Sequence, residues 1–134
     1  MQSREFSSTQ VLSPVPVKIE VRHREGPDGV AVVAVVGAID AADDKVDRLR
    51  VALDEVLASD AQYVLIDLTE ATAVISRAFG QMLVTLSRLR TRGGDLRLAG
   101  ARGSVLKAAQ TVGLDDIVQL HETTAEGIAS FERT

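Results

Sequence analysis

The feature that most limits how this chain can fold is an unbroken run of seven valines and alanines, from Val30 to Val36. A strand with one wet face alternates apolar and polar residues, whereas a strand that is apolar throughout must be covered on both faces. The run is too short for an ordinary helix and too rich in β-branched residues to favour one. Tyr63-Val64-Leu65-Ile66-Asp67-Leu68 has the same character. Between the two, Val46, Leu49, Leu53, Val56 and Leu57 recur at helical spacing. Two doubly buried strands joined by an amphipathic helix describe a parallel pair with a crossover.

The rest of the chain continues the alternation. Val17, Ile19 and Val21 alternate with Lys18, Glu20 and Arg22, which predicts an edge strand with one exposed side. Gly26-Pro27-Asp28-Gly29 reads as the hairpin loop that folds it back antiparallel on the valine run. Gly37-Ala38-Ile39-Asp40 ends that run. Asp40 is the expected N-cap of the first helix, with Asp43 and Asp44 in its first turn, and Ser59-Asp60-Ala61-Gln62 closes it. Thr69-Glu70-Ala71-Thr72 reads as a polar loop. Ser76 then opens a helix with Phe79, Met82, Leu83, Leu86 and Leu89 on one face, stopped by Gly93-Gly94.

Leu96-Arg97-Leu98-Ala99-Gly100 predicts a short strand. Ser104 is the expected cap of a helix with Val105, Leu106, Ala109 and Val112 inward, ended by Gly113. Ile117-Val118-Gln119-Leu120 predicts the last strand. Thr123 and Glu126 have capping-box spacing for a final helix with Ile128 and Phe131 inward. The order implies an α/β domain: a mostly parallel sheet with an antiparallel N-terminal edge strand and about four helices. Residues 30–36 and 63–68 should be its central strands. The pattern does not fix the strand order. Residues 1–16, with Phe6, Val11, Leu12 and Val15 apolar but aperiodic, are expected to be a flexible tail. Residues 17–134 form the domain.

Composition removes several functions. The 134 residues suit one domain with one core. Cysteine is absent, so disulfides and thiolate metal sites are excluded, and two histidines far apart do not suggest a histidine metal cluster. A net charge of −4 with 3% aromatics argues against nucleic acid as a partner. The apolar stretch at residues 30–39 is well short of the ~20 residues of a membrane span. Met1-Gln2-Ser3-Arg4-Glu5-Phe6 lacks an apolar signal segment. The expectation is a cytoplasmic protein without membrane insertion.

A search for chemistry finds no nucleophile motif around any serine, and His23 and His121 have no local partners of the required kind. Gly100-Ala101-Arg102-Gly103-Ser104 precedes a helix and is a candidate ligand or anion loop, although it lacks the P-loop pattern. Asp40, Asp43, Asp44 and Asp47 crowd one helix start, where a solvated, dipole-matched terminus is simpler than metal or acid–base chemistry. Asp67 interrupts a buried strand and needs partners, more simply backbone amides than a substrate. Arg88, Arg90, Arg92, Arg97 and Arg102 cluster late. They read either as cations favoured at a helix C-terminus or as a docking patch for an acidic partner. Ser76 admits two readings. As an N-cap, its replacement by Ala would cost ~1 kcal/mol. As a phosphoserine, it would add about −1.5 to −2 of charge at a helix end that favours it.

Element order and several segments together resemble the STAS family, whose best-known members are bacterial anti-sigma factor antagonists. The resemblance covers residues 17–131. Gly37-Ala38-Ile39-Asp40 is similar to the family's Gly-x-Leu/Ile-Asp turn, and Leu65-Ile66-Asp67-Leu68-Thr69 to its L-D-L-S strand end. Arg92-Gly93-Gly94-Asp95-Leu96-Arg97-Leu98 resembles its G-x-x-L-x-L segment, and Val112-Gly113-Leu114-Asp115 its T-G-L-D turn.

The resemblance implies a non-enzymatic protein-interaction module without a cofactor. In the antagonists, the unphosphorylated form binds an anti-sigma factor that is also a serine kinase, which releases sigma factor. The kinase then phosphorylates a serine in a D-S-[ST]-G-[LF] motif, and a phosphatase resets it. Relatives form stressosome scaffolds, sense small ligands or nucleotides, or serve as cytoplasmic parts of transport systems.

In this chain the motif reads Ile75-Ser76-Arg77-Ala78-Phe79-Gly80. Ser76 matches the phosphoacceptor. Ile75 replaces the aspartate, Arg77 the second hydroxyl and Ala78 the glycine, so local charge turns from acidic to basic. A kinase groove adapted to the acidic motif should bind this segment poorly, while Arg77 could pair with a phosphate or with an acidic partner. The implied partner surface comprises Asp40, Thr72, Ile75, Arg77, Phe79 and Met82. The implied partners are an anti-sigma factor kinase or other STAS proteins, with a homodimer as an alternative.

Overall fold

A computed structural model describes residues 17–23, 29–41 and 44–132. The tail at 1–16, most of the hairpin loop and Asp43 lie outside the described residues. The elements are β1 (Lys18–His23), β2 (Val30–Ile39), α1 (Lys45–Ala58), β3 (Tyr63–Val74), α2 (Ser76–Thr91), β4 (Asp95–Ala99), α3 (Gly103–Thr111), a 3-10 turn (Leu114–Asp116), β5 (Leu120–His121) and α4 (Thr124–Phe131).

The five strands lie in sequence order, β1-β2-β3-β4-β5. β1 pairs antiparallel with β2, and the remaining neighbours are parallel. Sequential parallel strands joined by right-handed crossovers bring all the connecting helices to one face. Accordingly Leu49 and Leu53 of α1, Phe79 and Met82 of α2, and Val105 and Ala109 of α3 share a core with Ala31, Val33, Ile66 and Leu98 of the sheet. Among the described residues, the other face is covered by α4 alone. Phe131 and Ile128 pack there against Val30, Val32, Leu65 and Ala99. Residues 30–35 of the valine run are therefore buried from both sides, as their composition requires, and Val36 is half-buried. β1 turns Ile19 and Val21 to the core and leaves Lys18 and Arg22 exposed, as an edge strand should.

Local chemistry sets the helix ends. After α2, Gly93 adopts φ 83°, and its N–H donates to Arg90 O (3.2 Å) while Gly94 N–H reaches back to Leu89 O (2.8 Å). This is the Schellman pattern that a left-handed glycine permits. Gly94 has a second reason to be glycine, since a Cβ there would overlap the Gln62 carbonyl. Thr123 Oγ1 accepts from Glu126 N–H (3.1 Å) and caps α4.

Other boundaries differ from the sequence reading. β2 runs to Ile39 and β3 to Val74, so Thr69-Glu70-Ala71-Thr72 is strand and not loop. The ladder between Val36–Ile39 and Glu70–Val74 supplies the hydrogen bonds that these polar residues do not advertise. Asp40 does not cap α1. Asp44 occupies the N-cap position without a side-chain bond, and Asp47 lies in the first turn. Ser104 does not cap α3, because Arg102 is the N-cap residue and Ser104 is already helical. Val112 follows the end of α3 and is exposed. The last strand is shifted to Leu120–His121, because Leu114–Asp116 forms a 3-10 turn first.

Candidate functional site: the mouth of α2

β2 and β3 outrun the sheet. β4 pairs with residues 63–67 of β3, and among the described residues the later part of β3 pairs with β2 only. This two-stranded arm is irregular. β3 uses 12 residues against 10 in β2, with register shifts between Ala34 and Val36 and between Gly37 and Ala38. Thr72 is the extra residue at the second shift and is exposed. Bulges of this kind bend a strand and re-aim the next element of the chain.

That next element is α2. Ile75 is its N-cap in extended conformation. The Ile75 N–H donates to Ile39 O (3.0 Å), which pins the helix mouth to the tip of β2. No side chain caps the helix, so Ser76 is its first residue and not its N-cap. The Ser76 hydroxyl and the Arg77 guanidinium are exposed and have no partner among the described residues. The cap expected of Ser76 is therefore absent. Beside the mouth, Asp40 Oδ2 lies 3.2 Å from Lys45 Nζ. That pair ties the end of β2 to the start of α1, and Lys45 is nearly buried in making it.

The structure divides the expected partner surface. Thr72, Ser76 and Arg77 are exposed, and Asp40 and Ile75 are half-buried. Phe79 and Met82 are fully buried in the main core, so neither can touch a partner. At the start of a helix laid on a sheet, these positions point down the apolar stripe, while 76, 77 and 80 point out.

Asp67 is half-buried, and its Oδ1 accepts the Thr69 N–H (3.0 Å), the backbone role its position suggested. In the glycine loop, Gly100 is buried, its N–H donates to His121 O (2.9 Å), and Thr69 occupies the space a side chain would need. Its amide is thus used within the fold. Arg102, Gly103 and Ser104 are exposed at the start of α3.

The arginine cluster is not one patch. Arg92 donates to Leu57 O (2.8 Å) and Ala61 O (3.0 Å), fastening the end of α2 to the end of α1. Arg90 bonds Asp95 and Ile117 O. Arg97 is buried, bonded to Asp95 and Ser130, with its guanidinium 4.4 Å from the Phe131 ring centre. These three hold elements together, and only Arg88 and Arg102 remain as exposed members without a partner among the described residues.

Sequence reasoning missed a groove beside the mouth. It is lined by Val46, Asp47 and Arg50 of α1 and by Arg77, Gly80, Gln81 and Val84 of α2. Arg50 bonds Asp47 (2.8 Å) and Asp54 (3.1 Å). Arg50 donates to the Asp47 carboxylate, and that hydrogen bond, then the Asp47 charge, raises the pKa of Arg50 above the ordinary value. The signal in the sequence was Gly80 with Val84 one turn on, both outside the apolar stripe of α2. Among the described residues, no helix is long and apolar enough to cross a membrane.

A scan against protein families matches residues 19–127 to the STAS domain. The chain belongs to the STAS family. Solved structures agree on the fold. An anti-sigma factor antagonist from Mycobacterium paratuberculosis superposes with a TM-score of 0.75 at 23% identity, over 90% of this chain and 97% of that one. The anti-sigma factor antagonist SpoIIAA in its unphosphorylated form gives 0.70 at 17% identity, over 86% and 98%. A sulfate transporter family protein from Wolinella succinogenes gives 0.65 at 16%, over 80% and 88%. A search of curated proteins by sequence finds no match. The STAS fold is thus shared with these proteins at low sequence identity.

Proposed function

We propose that this STAS domain is a non-enzymatic docking module of bacterial partner switching. It acts in the cytoplasm as an anti-sigma factor antagonist or stressosome-like regulator, and it binds an anti-sigma serine kinase or another STAS protein through the mouth of α2. The observation that carries this reading is the exposed, uncapped helix start, with the Ser76 hydroxyl and Arg77 unengaged at the tip of the β2–β3 arm. A helix N-terminus with unused amides favours an anion. A phosphate on Ser76 would meet those amides and Arg77, so the fold would tolerate it while the surface changed sign. Because Ser76 is not a cap, its modification removes no bond that the helix needs.

The test is surface plasmon resonance of the purified chain against each anti-sigma serine kinase of the source organism. Wild type is compared with Ser76→Asp and Arg77→Asp. The expected result is binding to at least one kinase, weakened about tenfold or more by either substitution, which is about 1.4 kcal/mol. Equal binding by all three proteins, or none by wild type, refutes the reading.

A further inference from the structure

We propose that Lys45 is the cation that holds a phosphate on Ser76, and that it leaves Asp40 to do so. The inference rests on the docking reading above and adds how the modified mouth is rearranged.

Lys45 stands where elementary electrostatics does not favour a cation. It is the first residue of α1. A helix dipole disfavours positive charge at its N-terminus, and burial disfavours any charge. Yet Lys45 is buried, four residues ahead of Leu49 on the stripe that α1 turns to the core. Its stem lies along that stripe and its ammonium emerges beside Asp40, with Nζ 3.2 Å from Oδ2. The pair is lopsided, since the Lys45 side chain is 9% exposed and the Asp40 side chain 44%. Water can satisfy Asp40 in the absence of Lys45. It cannot satisfy Lys45, which needs an anion at this spot.

The place of the pair says which anion can take over. Ile75 N–H donates to Ile39 O (3.0 Å). Ser76 follows the first of these residues and Asp40 the second, so both stand one residue from the same hydrogen bond. Val46 and Arg77 line one groove, which sets the starts of α1 and α2 side by side. A phosphate on Ser76 brings about −1.5 to −2 of charge next to a singly charged carboxylate. The two anions repel, and the ammonium favours the more highly charged one. Lysine suits the exchange, because its compact charge rides on a flexible stem and changes acceptor without moving the backbone. Asp40 is already half in water, so its release costs little. Arg77 is the other cation at the mouth, but it is exposed and its pull on a phosphate is screened. One modification thus changes the surface at two points. It adds a phosphate, and it leaves beside it an Asp40 carboxylate that has lost this cation.

The test places phosphoserine at position 76 of the full chain by genetic code expansion, so that no kinase is needed. Phosphorus-31 NMR follows the second ionisation of the phosphate, whose ordinary pKa is about 6. It is expected below that value in the phosphoprotein. Lys45→Met should move it back up by about 0.5 or more, threefold in acid strength. Lys45→Arg should restore most of the original value, and Arg77→Gln should move it less than Lys45→Met does. Methionine keeps an apolar stem on the stripe and strands no buried charge, so the fold is retained. Lys45→Gln is a second variant expected to act in the same direction. The carbon-13 carboxyl signal of Asp40 reads the exchange itself. Lys45→Met should shift it in the unmodified chain and leave it in place in the phosphoprotein.

A phosphate ionisation that neither Lys45→Met nor Lys45→Gln moves overturns the proposal, and so does a larger shift in Arg77→Gln. An Asp40 signal that still answers to Lys45→Met in the phosphoprotein overturns it too. The docking reading is scored separately, by resonance with the kinases. If phosphoserine abolishes binding while the phosphorus shows no tie to Lys45, that reading stands and this one falls. If the unmodified chain binds no kinase, the docking reading falls and the phosphorus titration still decides the role of Lys45.

Discussion

Arg97→Ala should unfold this domain more readily than any substitution at the mouth of α2. Arg97 stands on β4 and is 5% exposed under α4. Its Nε donates to Asp95 Oδ2 (3.0 Å), its Nη1 donates to Ser130 Oγ (2.8 Å), and its guanidinium stacks on Phe131. Removing one member of a buried pair costs about 3–5 kcal/mol when the other is stranded. Here the stranding is partial. Asp95 keeps Arg90 at 3.3 Å, and the Ser130 hydroxyl still donates to Gly127 O at 2.6 Å. The stacking lost on Phe131 adds about 0.5–2 kcal/mol. The low end of the pair range plus a modest stacking loss gives about 3–4 kcal/mol.

The assay is urea denaturation followed by far-ultraviolet circular dichroism, comparing midpoints at constant slope. Arg97→Met retains most of the stem that packs over the ring and should recover part of the loss. A loss below about 1 kcal/mol for Arg97→Ala would refute the reasoning. So would an unchanged midpoint with lost kinase binding, which would return Arg97 to a docking patch.

Two further outcomes rest on the same geometry. Ser76→Ala should leave the urea midpoint within about 0.5 kcal/mol of wild type, because no cap bond is lost; a drop of about 1 kcal/mol would restore Ser76 as an N-cap. The Glu20 carboxyl, hydrogen-bonded first by Lys18 and then by Arg22 on the exposed face of β1, should titrate below the ordinary carboxylate value by carbon-13 NMR and move back up with added salt. A folded pKa below the unfolded one means that the stabilisation is present above the unfolded value and lost as pH falls through the folded one. Titration at or above the ordinary value would remove the ion pairs from solution.

Much of the architecture was legible because burial writes itself into sequence at a fixed period. The valine run, the stripe of α2 and the Thr123–Glu126 cap spacing each state one local rule that the fold obeys. The arm was not legible. Residues 69–72 have no apolar alternation, and only pairing with the tip of β2 makes them strand. The same blindness affected Phe79 and Met82, which lie about one and about two turns inside the mouth and face the core, although chain order placed them near Ser76. The arginines were misread as a group because sequence proximity does not say which carbonyls Arg92 reaches, 31 and 35 residues away. The groove needed two helices side by side before Gly80 acquired a neighbour in Arg50.

The β2–β3 arm has a consequence for how such a surface can change. Among the described residues its outer half pairs with no third strand; its ends, Ile39 and Val74, are buried, but Ser76 and Arg77 just beyond them are exposed. Replacing Ser76 or Arg77 therefore disturbs little of what keeps the molecule folded. If the tip is the docking surface proposed above, its recognition can change from an acidic to a basic character while the valine-lined interior stays as it is. One scaffold can in this way serve successive clients by rewriting a few letters at its rim.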